Sequence, residues 1–514
     1  MNDALPFEVT QIKIRDPQSV TGSKLAVRGS ELQEVSGMPG ILPQIEHVIV
    51  VMMENRSFDN MCGWFYGQGA QPPSQFLPPG PSAKPYDGLR AGLFNPVTEQ
   101  YFSGQSTETY PVFPQANATN MPDPDPNEDF PNVSYQLYGP ELPSQNPTWP
   151  NLGFVVNYKL MTGTNIPVQI MEPFSPAQVP VLAALAQNYA ISDAWFSSVP
   201  SNTWPNRAFA HAGTSNGNVV NGTHPNPLDW DVPTIFNVLE DLGISWKVYS
   251  DTVITPALTW LMFPRLWGFS LDRFSHFDDF KQACATASLP RYTFLEPSFL
   301  DNPNDDHPPH DIRAGEQFLF DIWQAVSRSP AWDKSLLIIT YDEHGGTYDH
   351  VMPPWNATCP DAKSNPGQQG FTFNRFGIRV PAIVVSPWIQ AGTVFRSDSA
   401  AGVPYDHTSI LATLRDWLQI PPQKMLPSAR IAKAPTLAQL LNLQTPRSDI
   451  PNIPSPSQMR QATATSRPLN DLQKSLVTAS AVQQGKDPAQ AANAIVTRQD
   501  AIKSFSAAPA TAKP

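Results

Sequence analysis

The feature that most constrains this chain is a nearly unbroken apolar run, Ile45-Glu46-His47-Val48-Ile49-Val50-Val51-Met52-Met53, which ends abruptly in Glu54-Asn55-Arg56-Ser57-Phe58-Asp59. A short apolar run bounded by polar residues is what a strand buried on both faces looks like. A second such run, residues 335–341, ends in Asp342-Glu343, and a helical pattern over 312–327 precedes it. A strand over 382–386 and a helix over 409–418 continue the alternation. Earlier, helical spacing over 176–190 leads into a strand over 190–193. A helix over 231–242, with Asp231 as cap and Pro233 in its first turn, leads into a strand over 245–249. Strands alternating with helices predict an α/β fold with a mainly parallel sheet flanked by helices.

Proline shapes the rest. The chain has 57 prolines in 514 residues, about twice the usual ~5%, and proline cannot donate to a ladder. Residues 67–150 combine proline with Gly, Asn and Ser over a length too great for a simple connection, which predicts a loop-rich cap. Residues 1–40 read as an extended arm. After residue 450 the composition turns to Ala, Gln, Ser and Thr, with one or two polar helices expected over 469–504 and disorder at the end. The expected division is a catalytic domain over 1–450, carrying the 67–150 insertion, and an extension over 451–514.

A net charge of -12 without any Lys/Arg cluster argues against nucleic acid as a partner. Cys62, Cys284 and Cys359 form no metal-binding pattern, and either one disulfide or three free thiols fits them. No stretch of 18 apolar residues would span a membrane. No basic segment followed by an apolar run opens the sequence, so no secretory leader is visible.

The two acidic strand ends carry the chemistry. In open α/β sheets ligands bind beyond the carboxyl ends of the strands. Carboxylates gathered there repel each other unless a cation lies between them, and hard oxygen donors suit Ca²⁺, Mg²⁺ or Mn²⁺. Each acid taken alone reads first as a cap; two sets at equivalent strand ends, with Gly345-Gly346 after one, turn the balance to the cation. In Ser201-Asn202-Thr203-Trp204-Pro205-Asn206-Arg207, a hydroxyl beside a metal would attack phosphorus and Arg207 would clamp phosphate oxygens. Local spacing alone reads this segment as an ordinary turn.

Five motifs in order resemble the bacterial phosphoesterase family, which contains phosphatidylcholine-type phospholipases C and acid phosphatases. They are the run from His47 to Asp59; Thr203 to Arg207 with Gly213-Thr214-Ser215; Asp306-His307-Pro308-Pro309 with Gly315-Glu316; Tyr341 to Gly346; and Tyr348-Asp349-His350-Val351 with Pro353-Pro354. The resemblance covers residues 45–420 and implies an alkaline phosphatase/sulfatase-like core. It implies one divalent metal (Ca²⁺, Mg²⁺, Mn²⁺ or Zn²⁺) on Glu54, Asn55, Asp342 and Glu343. Thr203 would be the nucleophile close to that metal, with Ser201 as the fallback. His307 would donate a proton to the leaving oxygen, and His344, His350 and His310 are candidates for substrate contact. His211 would face the site from a helix, and the segment Tyr405-Asp406-His407-Thr408 precedes a helix and would cap it.

The function implied is phospholipase C-like hydrolysis through a phospho-enzyme. The alternatives are an acid phosphatase acting on monoesters and a non-catalytic effector on the same scaffold. The partner is then a phospholipid or a small phosphate ester, with transient contact at a membrane surface, and the resemblance implies a secreted or periplasmic protein. Trp64, Phe65, Tyr66, Trp195, Phe196 and Trp204 lie beside the motifs, as choline-stacking residues or as core. Glu128 stands where the family commonly carries a substrate-facing histidine, and is expected to face a cationic group or solvent.

Overall fold

The computed structural model describes residues 40–67, 69–79, 84–221, 226–252, 255–456 and 467–507. The arm expected before residue 40 and the last residues, 508–514, lie outside them. A nine-stranded sheet forms the centre. In chain order its strands are β1 (His47–Met53), β2 (Gln75–Leu77), β3 (Ala190–Ser192), β4 (Trp246–Ser250), β5 (Phe274–His276), β6 (Tyr292–Glu296), β7 (Ser335–Tyr341), β8 (Ala382–Val385) and β9 (Thr393–Phe395). Their order across the sheet is β2-β9-β3-β8-β7-β1-β6-β4-β5.

β1 lies at the middle, parallel to β7 on one side and to β6 on the other. That place explains its composition: Val48 to Met53 are all buried, so no position along them can be polar. Each such side chain withdrawn from water contributes roughly 1.5–3 kcal/mol. The sheet is mainly parallel, as expected, with β8 running antiparallel to both its neighbours. Burial on both faces gives a strand the same apolar look in either direction, which is why its sequence does not reveal this.

Helices pack on the sheet. Ile312–Ser327 forms over the residues predicted, and its buried Ile312, Phe318, Leu319, Ile322 and Val326 follow helical spacing. The helix expected over 231–242 is shorter, Ile235–Asp241. Thr234 and Asn237 form its capping box, whereas Asp231 pairs with Arg265. The helix expected from 176 begins at Pro180, where proline's missing N–H costs nothing. Three short helices rather than one or two, Asp471–Gln483, Pro488–Ala494 and Arg498–Ala507, end the described chain. Leu472, Leu476, Ala479 and Ala501 from this segment are buried in the main core.

Within the loop-rich stretch, a two-stranded ribbon and the helix Phe130–Tyr138 build a separate apolar cluster around Val133, Leu137 and Tyr138. Among the described residues, no helix is long and apolar enough to cross a membrane.

Candidate active site

The register of the sheet sets the site. Met53 lies opposite Tyr341 in the β1–β7 pair, so Glu54-Asn55 and Asp342-Glu343 leave the sheet side by side at the carboxyl ends. The Asn55 N–H donates to Asp342 Oδ1 at 3.0 Å, and so does the Glu343 N–H at 2.7 Å. Asn55 holds a left-handed φ of 54°, a conformation that costs a non-glycine residue about 1–3 kcal/mol and clusters at functional sites. Gly345 makes the close approach possible: a Cβ there would stand 2.0 Å from the Asn55 carbonyl oxygen.

Thr203 reaches this point as the first residue of the helix Thr203–Ala212. Asn206 locks the preceding turn, its amide donating to the carbonyls of Ser201 and Asn202 and accepting from the Val199 N–H. The Thr203 hydroxyl donates to Glu54 Oε2 at 3.2 Å and lies 3.4 Å from Asn55 Oδ1. Arg207 follows four residues later and so shares the same helix face. Its Nε donates to Glu54 Oε1 at 2.8 Å, its Nη2 to Glu54 Oε1 and the Met52 carbonyl, and its Nη1 is buried without a partner. The expected phosphate clamp is therefore mostly engaged with Glu54, and Nη1 alone is left for a ligand. Ser201 donates to the Val219 carbonyl and not toward Glu54.

Glu54, Asp342 and Glu343 are wholly buried. Burial pushes Glu54 well above the ordinary carboxyl range against the pull of Arg207, and burial and Asp342 do the same to Glu343. Asp342 Oδ2 and Glu343 Oε1 have no hydrogen-bond partner. Buried carboxyl oxygens left unpaired are costly, and a hard divalent cation is what would satisfy this donor set. The residues present therefore fit a metal ion. Among the described residues, the ligand atoms gathered within 4.8 Å of one another belong to two other groups, Asp125–His307–Asp471 and Asp59–Asp349–His350. In the second, Arg379 already donates to both aspartates, so that group has its own cation.

His307 stands next to Asn55, with Nε2 3.1 Å from Asn55 Nδ2. Its Nδ1 donates to the Pro308 carbonyl at 2.7 Å. Burial alone would lower its pKa; Asp125 at 3.6 Å and Asp471 at 3.4 Å overcome that and hold it well above the usual imidazole range. A histidine kept charged next to the Thr203 turn is suited to proton donation.

The remaining predicted residues divide. His310 is tied to Asp305 Oδ1 at 2.7 Å and lines a cavity of about 210 Å³ beside Asp125. His344 is pushed down to about 3 by burial and lies between Gln136 and Glu343, so it supports a site carboxylate. His350 bonds to Asp59 and Asp87 rather than to any of the residues around Thr203. His211 is packed among Phe236, Phe263 and Phe294. His407 stands at the N-cap position of the helix Thr408–Trp417, but its side chain makes no capping bond; its Nε2 donates to the Asp342 carbonyl. Glu316 accepts the N–H groups of Val181 and Leu182.

Glu128 neither reaches solvent nor meets a cation. It is buried, and burial together with Asp471 and Glu343 pushes it well above the ordinary carboxyl range. Phe65, Trp195, Phe196 and Trp204 are core residues, with Trp195 stacked on Tyr405 and Trp204 against Trp230; Trp64 and Tyr66 are half-buried. All three cysteines are free. Sequence reasoning missed Asp125, Asn221 and Asp471. Asp125 sits in a segment singled out for Glu128, whereas nothing near Asp471 marks it apart from an ordinary helix start.

The Phosphoesterase family profile matches residues 45–421. Over 457 residues the chain is 32% identical to non-specific phospholipase C3 of Arabidopsis thaliana, covering 86% of this chain and 83% of that one. It is 27% identical over 458 residues to phospholipase C B of Mycobacterium tuberculosis, covering 78% and 79%. Among solved structures, the phosphonate monoester hydrolase of Agrobacterium radiobacter aligns with 51% of this chain and 72% of its own, at 15% identity and a TM-score of 0.29.

Proposed function

The chain belongs to the Phosphoesterase family and is a hydrolase of phosphoric esters, and from that premise we propose a phospholipase C-type enzyme that cleaves phosphodiesters through Thr203. The observation that carries this reading is the Thr203 hydroxyl, 3.2 Å from Glu54 Oε2 at the junction of two acidic strand ends. Relatives named phospholipase C, matched over most of their length, support the diester.

Phosphoryl transfer needs an aligned nucleophile and compensation of the charge on the phosphoryl oxygens. Glu54 Oε2 accepts the Thr203 hydroxyl proton, and Thr203 Oγ1 then bonds to phosphorus as the bond to the leaving oxygen breaks. His307 gives its proton to that oxygen, releasing a neutral alcohol. Water then attacks phosphorus, giving its proton to the now neutral His307. The bond to Thr203 Oγ1 breaks, Thr203 takes back the proton held on Glu54, and the headgroup leaves as a phosphomonoester. Arg207 Nη1 steadies a phosphoryl oxygen, while its other nitrogens hold Glu54 in line. A divalent cation on Glu54, Asn55, Asp342 and Glu343 would supply Lewis-acid charge compensation and lower the pKa of the hydroxyl.

The test is a paired assay of p-nitrophenylphosphorylcholine and p-nitrophenyl phosphate, on the wild type and Thr203→Ala. The expected result is turnover of the diester mimic and a loss of about 10³-fold or more in the variant. Turnover of the monoester alone would replace the phospholipase reading with a phosphatase. Undiminished activity in Thr203→Ala would remove Thr203 as nucleophile, and activity unchanged after EDTA with no bound metal would remove the cation.

A further inference from the structure

We propose that Asp471, at the start of the helix Asp471–Gln483, is a positioning residue of the reaction centre that holds His307 in line with the leaving oxygen. The inference rests on the phosphoester-hydrolase reading above. Asp471 lies beyond residue 421, where the family match ends, and in a segment whose composition suggests only a polar appendage.

Geometry carries the assignment. Asp471 Oδ1 stands 3.4 Å from His307 Nε2, the nitrogen that also faces Asn55 at 3.1 Å. Asp471 Oδ2 accepts from Asn221 Nδ2 at 3.2 Å. Asn221 Oδ1 in turn accepts the Trp204 N–H at 2.9 Å, directly after Thr203, and its own N–H donates to Asn202 Oδ1 at 3.3 Å. One carboxylate thus ties the proton donor to the turn that carries the nucleophile. Asp471 Oδ1 also accepts the Leu472 N–H of its own helix at 2.8 Å. The cap proper is made by Asn470, which accepts the Gln473 N–H and completes the capping box, so the helix start does not account for the contacts with His307 and Asn221.

The helix is firmly placed. Leu472 and Leu476 are buried in the core, and Gln473 Nε2 donates to the Phe299 carbonyl at 2.9 Å. Outer partners of this kind set the ring orientation of a working histidine, and a displacement of about 1 Å at a reacting group costs on the order of 100-fold.

A misaligned proton donor harms a reaction in proportion to the basicity of the leaving oxygen: nitrophenolate departs unaided, an alkoxide does not. The test therefore compares leaving groups in the full chain, for wild type, Asp471→Asn, Asp471→Glu and Arg467→Ala. Dihexanoylphosphatidylcholine is set against p-nitrophenylphosphorylcholine, and glycerol phosphate against p-nitrophenyl phosphate. In Asp471→Asn, kcat is expected to fall about 30–100-fold on the alkyl ester but less than about 5-fold on the nitrophenyl ester, with KM changed less than about 2-fold.

Asp471→Glu shifts the carboxylate instead of removing it, and gives the same substrate-dependent pattern in weaker form; it decides the matter if the asparagine variant does not fold. Arg467→Ala cuts the bridge from the same segment to Asp123 and leaves both rates near wild type. An equal fall on both leaving groups, or none, would overturn the proposal. If only the monoesters are turned over, the phospholipase reading fails while the comparison within that pair still decides Asp471.

Discussion

Two buried acidic clusters hang from the same two strands. Glu54 follows β1 directly and Asp59 comes five residues later; Asp342 follows β7 directly and Asp349 comes seven later. In the later cluster, Arg379 donates to Asp349 Oδ1 and Asp59 Oδ1, each at 3.0 Å, and its Nη1 to the carbonyls of Asp87 and Asp193. His350 Nδ1 bonds to Asp59 Oδ2 at 2.6 Å. The earlier cluster leaves Asp342 Oδ2, Glu343 Oε1 and Arg207 Nη1 without hydrogen-bond partners, with Arg207 Nε no nearer to Asp342 Oδ2 than 3.8 Å. Residue types are nearly the same; what differs is whether the charge is compensated from within. A closed network fixes loops, and an open one keeps capacity for a ligand.

The contrast can be broken most directly at Glu343. Glu343→Gln removes a buried, uncompensated acid, so kcat is expected to fall about 100-fold or more while the melting temperature holds or rises. A melting temperature that drops as far as in an Arg379 variant would place Glu343 in the structural class.

Arg379→Met is the complementary case. It strands two buried aspartates, and breaking such a pair costs about 3–5 kcal/mol, read by urea unfolding. A loss below about 1 kcal/mol would show that the second cluster is also slack.

The smallest effect lies in pH. Burial lowers His350, but hydrogen bonds to Asp59 and Asp87 win and raise it to about 9, with Asp349, Arg379 and Arg90 also facing the ring. A histidine raised in the folded state stabilises fully below its unfolded value of about 6.5. That contribution fades as pH climbs to about 9 and beyond. Asp349, raised by burial to about 6, finishes its own titration in the lower part of this window and adds a loss of the same sign there, so the His350 contribution is read from its upper part. The melting temperature should therefore slip by several degrees between pH 6.5 and 9.5, and His350→Gln should flatten that slope. A wild-type curve already flat over that range would dismiss the His350 contribution.

Much of this fold is legible in the sequence because buried strands admit little but apolar residues. β1, β7 and β8 announce themselves by their runs, and the acids at the ends of β1 and β7 stand out by contrast. β6 does not announce itself: Thr293 interrupts the apolar residues of Tyr292-Thr293-Phe294-Leu295, and Arg291 and Glu296 close in on both sides. Thr203 has no local mark of its kind, and only the ordered family motifs single it out; the structure adds the 3.2 Å contact with Glu54. His350 carried the same motif pedigree, yet its partners were set by Asp59, Asp87 and Arg379, which its sequence neighbours do not reveal. Asp125 and Asp471 meet His307 from segments far away in the chain, in stretches where an aspartate is the commonest of helix or turn residues.

The central place of β1 has a temporal consequence. Its partner β7 is made almost three hundred residues later; Asn55 and Asp342, joined by a hydrogen bond, are separated by 287 positions. At the usual pace of synthesis of ~5–20 residues per second, that interval lasts about 15–60 s. Until β6 follows at Tyr292–Glu296, a strand of seven residues with six fully apolar ones waits at the ribosome with neither edge paired, and its second edge stays open until β7 is made, the kind of segment that a holding chaperone binds. The stretch that makes the finished sheet secure is the one most exposed to aggregation while the chain is being made.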